Sequence, residues 1–278
     1  MSPKQNISLL FLGDIIGRPG RQVVRRYLQD LEPKPDLIIA NAENAAHGFG
    51  TTESNLDELK GYGVVVFTGG NHTFDRKETL EFISRQPNML RPANYPQGTP
   101  GKGFCVVEAA GAKIGVLNLM GRVFMEPLES PFVVADQILP RLKEEAQIVI
   151  VDIHAEATAE KIAMGWYLDG RVSAVLGTHT HVQTADDRIL PGGTAYITDA
   201  GCCGPFEGII GMEREGVFRR LIKQLPTRFE VAPGPAMLNG VRVIIDSSSG
   251  KAVGIERVQY RESEQISEKS TQEIMSIG

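Results

Sequence analysis

The chain has 278 residues, which is long enough to bury a sizeable core as one large domain or two small ones. Hydrophobic residues make up 42% and charged residues 23% of the sequence, as in an ordinary soluble globular protein. The net charge of −5 excludes a broad basic surface for duplex nucleic acid, although it leaves room for a local positive site that binds a small anion.

The first residues, MSPKQNISLLFLGD, contain an apolar run from Ile7 to Leu12 that is too short for a signal sequence or a membrane span. We therefore expect a cytoplasmic protein. The three cysteines are Cys105, Cys202 and Cys203, and none has a CxxC partner, so neither a disulfide framework nor a thiolate zinc site is predicted.

Short runs rich in valine and isoleucine alternate with longer amphipathic segments along most of the chain. The apolar runs predict strands at 8–12, 37–42, 64–68, 104–108, 113–119, 148–153, 174–177 and 194–198. The amphipathic segments predict helices at 19–31, 53–61, 75–85, 132–145 and 158–168. This alternation favours an α/β fold with largely parallel strand pairing.

The last third of the chain has a different pattern. Two runs at 237–245 and 252–260 flank the turn-forming DSSSG and predict an antiparallel pair, so we expect mixed sheets. Residues 262–278 form a polar tail that is predicted to be either a terminal helix or frayed. No internal repeat or linker is evident, and a single domain over residues 1–278 is the simpler prediction.

Five of the predicted strands end in side chains that can bind metal or move protons. These side chains are, in chain order, Asp14, Glu43, Asn44, Asn71, His72, His154, His179 and His181. In open α/β sheets, the carboxyl ends of the strands bring several loops together on a rigid support, so we expect a common site there. Four of the five histidines in the chain lie at these ends, and imidazole is the commonest metal-binding side chain.

Each of these residues also has a structural interpretation. Asp14 alone, before a turn with glycine, is more often a turn or capping residue than a ligand. Asp75, in GGNHTFDRKE, can favour the protonated form of His72, but it is at least as suitable as a helix cap. The HTH spacing at His179 and His181 is stronger evidence, because two imidazoles one residue apart in a loop can face one site.

Other kinds of site have weaker support. The glycines of GDIIGRPGR lack the GxGxxG spacing, and the GKG at 101–103 lacks the Ser or Thr that follows the lysine of a phosphate-binding loop. No GxSxG motif is present, and Cys105 lies within an apolar strand. Catalysis by a nucleophilic serine or cysteine is therefore not favoured.

The ordered blocks GD, NAEN, GGNH and GTHTH resemble those of the calcineurin-like metallophosphoesterases. More closely, LGDIIGRPGR, NAENAAHGFG, TGGNHTFD and the TDAGxxGP segment resemble the YmdB-like branch of that superfamily, and the resemblance extends from residue 12 to about residue 232. It implies a four-layer αββα sandwich of two mixed sheets with a dinuclear metal centre. It also implies phosphodiesterase activity, including activity on 2',3'- or 3',5'-cyclic nucleotides.

Transferred to this chain, the resemblance implies two metal ions bridged by Glu43. The implied ligands are Asp14, Glu43, Asn44 and His181 for one ion, and Glu43, Asn71, His154 and His179 for the other. His72 would act as general acid while a hydroxide held by the metals attacks in line. Iron or manganese suits this donor set best, and zinc or magnesium is the alternative.

Two positions depart from the superfamily pattern. Ile16 stands where many members have a histidine ligand, so Asn44 is expected to take that place, and Glu43 replaces the usual bridging aspartate. Two alternatives therefore stay open, a phosphomonoesterase and a regulatory protein that binds a nucleotide or RNA and hydrolyses it poorly. Cys202 and Cys203 have no predicted role beyond structure. The sequence does not determine the oligomeric state and is compatible with a homo-oligomer.

Overall fold

The computed structural model describes residues 4–262. The strands are β1 (Asn6–Leu12), β2 (Asp14–Ile15), β3 (Leu37–Asn41), β4 (Val66–Thr68), β5 (Phe104–Ala109), β6 (Ala112–Met120), β7 (Ile148–His154), β8 (Ala174–Thr178), β9 (Arg188–Ile189), β10 (Ala195–Ile197), β11 (Cys202–Pro205), β12 (Ala236–Asp246) and β13 (Ala252–Arg261). The helices are α1 (Gly17–Asp30), α2 (Glu53–Gly61), α3 (Thr79–Phe82), α4 (Pro131–Glu145), α5 (Thr158–Leu168) and α6 (Arg214–Lys223). Within residues 4–262, none of these helices has both the length and the hydropathy that a membrane span requires.

Two mixed sheets form the centre of the fold. The first has the strand order β2-β11-β12-β1-β3-β4, with β13 paired to β12, and the second has the order β5-β6-β7-β8-β10-β9. Strands β1, β3 and β4 pair in parallel, as do β6, β7, β8 and β10, whereas β1 pairs with β12 in antiparallel fashion. The predicted hairpin at 237–245 and 252–260 is confirmed as the antiparallel pair β12 and β13.

The apolar side chains form layers that follow the two-residue period of the strands. In β1, Leu9 and Phe11 join the cluster that also contains residues of β6 and β7, so this cluster lies between the two sheets. Leu10 and Leu12 lie in a second cluster, which includes residues of α1 and α2. A third cluster joins β7 and β8 to α4 and α5. This arrangement confirms the predicted αββα sandwich.

The predicted helix at 75–85 begins only at Thr79, and it is not α-helical beyond Phe82. Only Thr79–Phe82 is α-helical, and one turn of 3-10 helix follows at Ile83–Arg85. The preceding residues are held as turns because Arg76 donates hydrogen bonds to the carbonyls of Ala46 and Phe49, 3.0 and 3.1 Å away. The prediction also missed α6 and the short strands β2, β9 and β11.

The paired strands β2 and β11 place Asp14 opposite Cys202. Cys202 and Cys203 are buried, and burial raises the pKa of the Cys203 thiol to about 12, as expected for a packing residue rather than a reactive thiol. The polar tail predicted at 262–278 lies, apart from Glu262, outside the described residues.

Candidate metal centre

The predicted site residues meet at one edge of the sandwich, where strands of both sheets end. In the first sheet they belong to β2 or directly follow β3 and β4, and in the second they end β7 or follow β8. The contacts described below connect all of them, namely Asp14, Glu43, Asn44, Asn71, His72, His154, His179 and His181. The two parallel regions of the sheets therefore bring together residues that are as far apart as 167 positions in the chain, from 14 to 181.

One group of donor atoms surrounds the ring of His154. Its Nε2 lies 2.9 Å from Asn71 Oδ1, 3.0 Å from Glu43 Oε1 and 3.0 Å from His179 Nδ1. One ligand atom from each of Glu43, His154 and His179 lies within 4.8 Å of the others. Atoms that carry lone pairs thus converge on one point.

The hydrogen bonds behind this group fix which ring nitrogens carry protons. The hydroxyl of Thr178 donates to Asp152, 2.7 Å away, and so must accept from Nδ1 of His154, 2.9 Å away. His179 Nε2 lies 3.2 Å from a carboxylate oxygen of Glu156, so this nitrogen is the donor of that ring. Nε2 of His154 and Nδ1 of His179 are then free of protons, as metal ligands must be.

A second group contains buried oxygens that lack partners. Oδ1 of Asp14 and Oδ1 of Asn44 are buried and have no hydrogen-bond partner within residues 4–262. His181 Nε2 lies 3.6 Å from Asp14 Oδ1 and 3.5 Å from the amide nitrogen of Asn44. Nδ1 of His181 donates to the carbonyl of Ile210 at 3.1 Å, which leaves Nε2 for a ligand. A buried polar atom without a hydrogen-bond partner costs free energy, and a bound cation would remove that cost. The oxygens of this second group therefore fit a cation, as do the donor atoms around His154.

Glu43 lies between the two groups. Its Oε1 approaches His154 at 3.0 Å and Asn44 Nδ2 at 3.5 Å, whereas its Oε2 accepts the backbone N–H of His72 at 2.9 Å. A single oxygen therefore faces both groups. Gly70 makes room for this arrangement, because a Cβ there would lie 2.5 Å from Glu43 Oε2 and 2.2 Å from the His154 ring.

The pKa values of the buried acids and imidazoles shift strongly. Burial, followed by the charge of Asp14, raises the pKa of Glu43 to about 8. Burial lowers the pKa of His154 to about 4 and that of His179 to about 3. Burial would also lower the pKa of His181, but the charge of Asp14 outweighs it and raises this pKa to about 9. His154 and His179 are therefore neutral and available as ligands, whereas His181 must give up a proton before its Nε2 can bind a cation.

The loop with the HTH motif is strained and is braced from behind. His179 and His181 have φ angles of 97° and 65°, a region that residues other than glycine rarely adopt. Between them, Thr180 donates its N–H and its hydroxyl to Asp199, at 3.0 and 2.6 Å. Asp199 also forms a buried ion pair with Lys161 at 2.7 Å. This pair holds the loop in its strained conformation.

Sequence reasoning missed three buried supporting residues, Asp152, Lys161 and Asp199. The sequence pattern contains a signal for Asp152 and Lys161. Asp152 interrupts an otherwise apolar strand, and Lys161 falls on the buried stripe of α5 that continues at Met164, Gly165 and Leu168. A charged residue at such a position requires a buried partner.

His72 lies beside these groups and is partly exposed. Its Nδ1 is 2.8 Å from a carboxylate oxygen of Asp75, and its ring packs edge-on against Phe49 with 4.9 Å between centroids. The alternative role of Asp75 as a helix cap is wrong, because α3 begins only at Thr79. His72 lines a cleft of about 500 Å³ together with Glu43, Asn44 and other residues of both groups.

Two mixed sheets between helical layers define the fold of a metallophosphoesterase, and the candidate site lies at the ends of their strands. The sequence profile of the YmdB-like protein family matches residues 10–258. The chain belongs to this family. The resemblance predicted from the sequence is thereby confirmed.

Characterised and solved relatives match nearly the whole chain. It is 52% identical over 252 residues to the 2',3'-cyclic-nucleotide 2'-phosphodiesterase of Bacillus subtilis (strain 168), a match that covers 90% of this chain and 96% of the relative. A crystal structure of a hypothetical protein from Thermus thermophilus superposes with a TM-score of 0.88 at 42% identity, covering 92% of this chain and all of the other. A crystal structure described as a novel phosphatase from Mycoplasma pneumoniae has the same TM-score at 38% identity, with 94% and 95% coverage. These matches confirm the predicted enzyme class, a phosphoric ester hydrolase.

Proposed function

We propose that the chain is a metal-dependent phosphodiesterase that hydrolyses cyclic nucleotides. The observation that carries this proposal is the convergence of unprotonated ring nitrogens and amide and carboxylate oxygens around His154, next to a cleft that also contains His72. The similarity to a 2',3'-cyclic-nucleotide 2'-phosphodiesterase supports the choice of substrate.

The two groups of donor atoms would each hold one metal ion, with Glu43 shared between them. The proposed ligands are Asp14, Asn44 and His181 on one side and Asn71, His154 and His179 on the other. When bound, the ions would supply a water nucleophile at neutral pH and stabilise negative charge on the phosphoryl oxygens. Imidazole, amide and carboxylate donors suit iron or manganese best, with zinc or magnesium as the alternative.

His72 and Asp75 would handle the proton of the leaving oxygen. Asp75 accepts a hydrogen bond from Nδ1 of His72 at 2.8 Å, which orients the ring. As general acid, the ring would donate a proton from Nε2 to the leaving oxygen. Because His72 contacts Glu43 only through its backbone N–H, its ring is free for this transfer.

The proposal is tested with the manganese-loaded protein and three substrates, 2',3'-cyclic AMP, bis(p-nitrophenyl) phosphate and p-nitrophenyl phosphate. We expect turnover of the two diesters to exceed that of the monoester. A preference for the monoester would instead indicate a phosphomonoesterase, and nucleotide binding without turnover of any ester would indicate a regulatory protein.

A second test measures bound metal directly. His154→Ala removes the atom on which one group converges. Loss of a residue that only supports a metal ligand typically lowers metal affinity roughly 10- to 100-fold, and we expect a larger fall for the loss of His154 itself. The control is His47→Asn, since His47 is exposed and lies outside both groups, and its φ of 55° suits asparagine. Equal metal contents in the two variants would refute the assignment.

A further inference from the structure

The cleft in front of the candidate metal centre has two kinds of lining. One part is polar and consists of residues of the centre itself, and the remainder is apolar and includes Phe49, Ile210, Val217, Leu221 and Phe229. The volume, about 500 Å³, lies within the range of small-molecule sites. It exceeds what a phosphate group alone would fill.

The position of α6 explains why part of this lining is exposed. Val217 and Leu221 are four residues apart and share one face of the helix. Val217 is buried against Ile16, Cys202 and Met212, which anchors the helix. Leu221, one turn further, has no such cover and is 64% exposed at the cleft.

The apolar lining begins directly beside the residues that are proposed to act on the phosphate. The carbonyl of Ile210 accepts the hydrogen bond from His181, and the ring of Phe49 packs against that of His72. A molecule whose phosphate is held at the centre would therefore place the group attached to that phosphate against Phe49, Ile210 and the face of α6.

We infer that Phe49, Ile210, Leu221 and Phe229 form a subsite that binds the nucleobase of the substrate. This inference rests on the proposed function. A nucleobase has two flat faces that aromatic and aliphatic side chains can cover, whereas a small alkyl ester would leave these side chains in water. Because the four side chains offer no hydrogen-bonding groups, the subsite holds the base by stacking and burial and reads little of its edges.

The test compares 2',3'-cyclic AMP with glycerol 1,2-cyclic phosphate, which has the same five-membered cyclic phosphate without a base. For each variant the measured quantity is the ratio of kcat/KM for the nucleotide to kcat/KM for the base-free ester. We expect Leu221→Ala to lower this ratio about fivefold through lost apolar contact. Phe229→Ala, which removes an aromatic face, should lower it about tenfold or more.

The matched control is Ile222→Ala on the same helix. Ile222 is adjacent in sequence and 75% exposed, but it lines a different groove with Phe218 and Leu225. We expect this variant to keep the wild-type ratio. If Leu221→Ala and Phe229→Ala leave the ratio unchanged, or if Ile222→Ala lowers it equally, the subsite is refuted.

The wild-type protein separates failure of this inference from failure of the proposed function. Hydrolysis of both esters with equal kcat/KM would overturn the base subsite while phosphodiester hydrolysis stands. Hydrolysis of neither ester by the metal-loaded protein would overturn the proposed function itself.

Discussion

The candidate metal centre and the apolar subsite share one cleft but are built in opposite ways. Asp14, Glu43 and His154 are fully buried, lie on or directly after strands and are fixed by further buried residues. Leu221 and Ile210 are exposed and lie on a helix and a loop outside both sheets. In the proposed enzyme, the sheets would therefore determine the chemistry, whereas elements added to their edge would determine which ester fits.

The largest expected effect on stability concerns the ion pair behind the metal centre. Lys161→Met leaves Asp199 as a buried charge without its cation, and we expect a loss of about 3–5 kcal/mol in the free energy of unfolding, measured by urea denaturation. The control is Lys60→Met, which breaks an exposed pair with Asp57 and should cost about 0–1 kcal/mol. Similar losses in both variants would contradict the bracing role.

Gly70→Ala tests how tightly the centre is packed. The new methyl group would overlap His154 and Glu43, so we expect a cost of about 1–3 kcal/mol together with weaker metal binding. In Gly61→Ala the added Cβ meets no neighbouring group within 4 Å in the described part of the chain, and stability should be retained. Metal binding that survives Gly70→Ala would show that the centre can rearrange.

The centre should also make the metal-free protein sensitive to pH. Burial raises the pKa values of Glu43 and Asp152 to about 8, and that of His181 is raised to about 9 by Asp14 against the effect of burial. Between pH 6.5 and 8 the folded chain therefore keeps protons that the unfolded chain has released, so stability falls as pH rises. His154 and His179 oppose this only weakly, because they are already neutral in the folded chain and the unfolded imidazoles lose their remaining half proton just above pH 6.5.

We expect each of Glu43, Asp152 and His181 to contribute a loss of roughly 1–2 kcal/mol across this interval, measured by thermal unfolding of the metal-free protein. Glu43→Gln should reduce the slope. Metal should reverse the trend, because its ligands bind in their deprotonated forms. A metal-free protein whose stability rises from pH 6.5 to 8 would contradict the pKa assignments.

The smallest effect is expected at the apolar subsite. Leu221→Ala and Ile222→Ala change exposed positions, and each should alter the free energy of unfolding by no more than about 0.5 kcal/mol. Unfolding in urea measures this directly. A large loss for Leu221→Ala would mean that this residue supports the fold rather than the ligand.

The sequence predicted the centre better than the subsite for physical reasons. Polar residues such as Asn71 and His154 stand out at the ends of apolar strands, and parallel pairing then requires those ends to meet. The apolar residues of α6 form one broad stripe, with Val217 and Leu221 at the cleft and Phe218 and Ile222 at a neighbouring groove. Such a stripe is typical of an amphipathic helix, but α6 was not predicted.

Other errors came from contacts between distant segments. The turns before α3 depend on Arg76 reaching the loop after β3, and no local pattern reports that contact. The strands β2 and β11, with two and four residues, are too short to show a period. The brace formed by Lys161 and Asp199 joins residues 38 positions apart.

Ile16 replaces a potential ligand and at the same time supports α6. Its side chain is fully buried with Met212 and Val217, and a Cβ on Gly211 would lie 2.4 Å from its Cδ1. Placing a histidine at this position would insert a polar ring into hydrocarbon and loosen the helix over the cleft. One branched side chain therefore occupies the position of a potential ligand and also supports the helix that borders the mouth of the cleft.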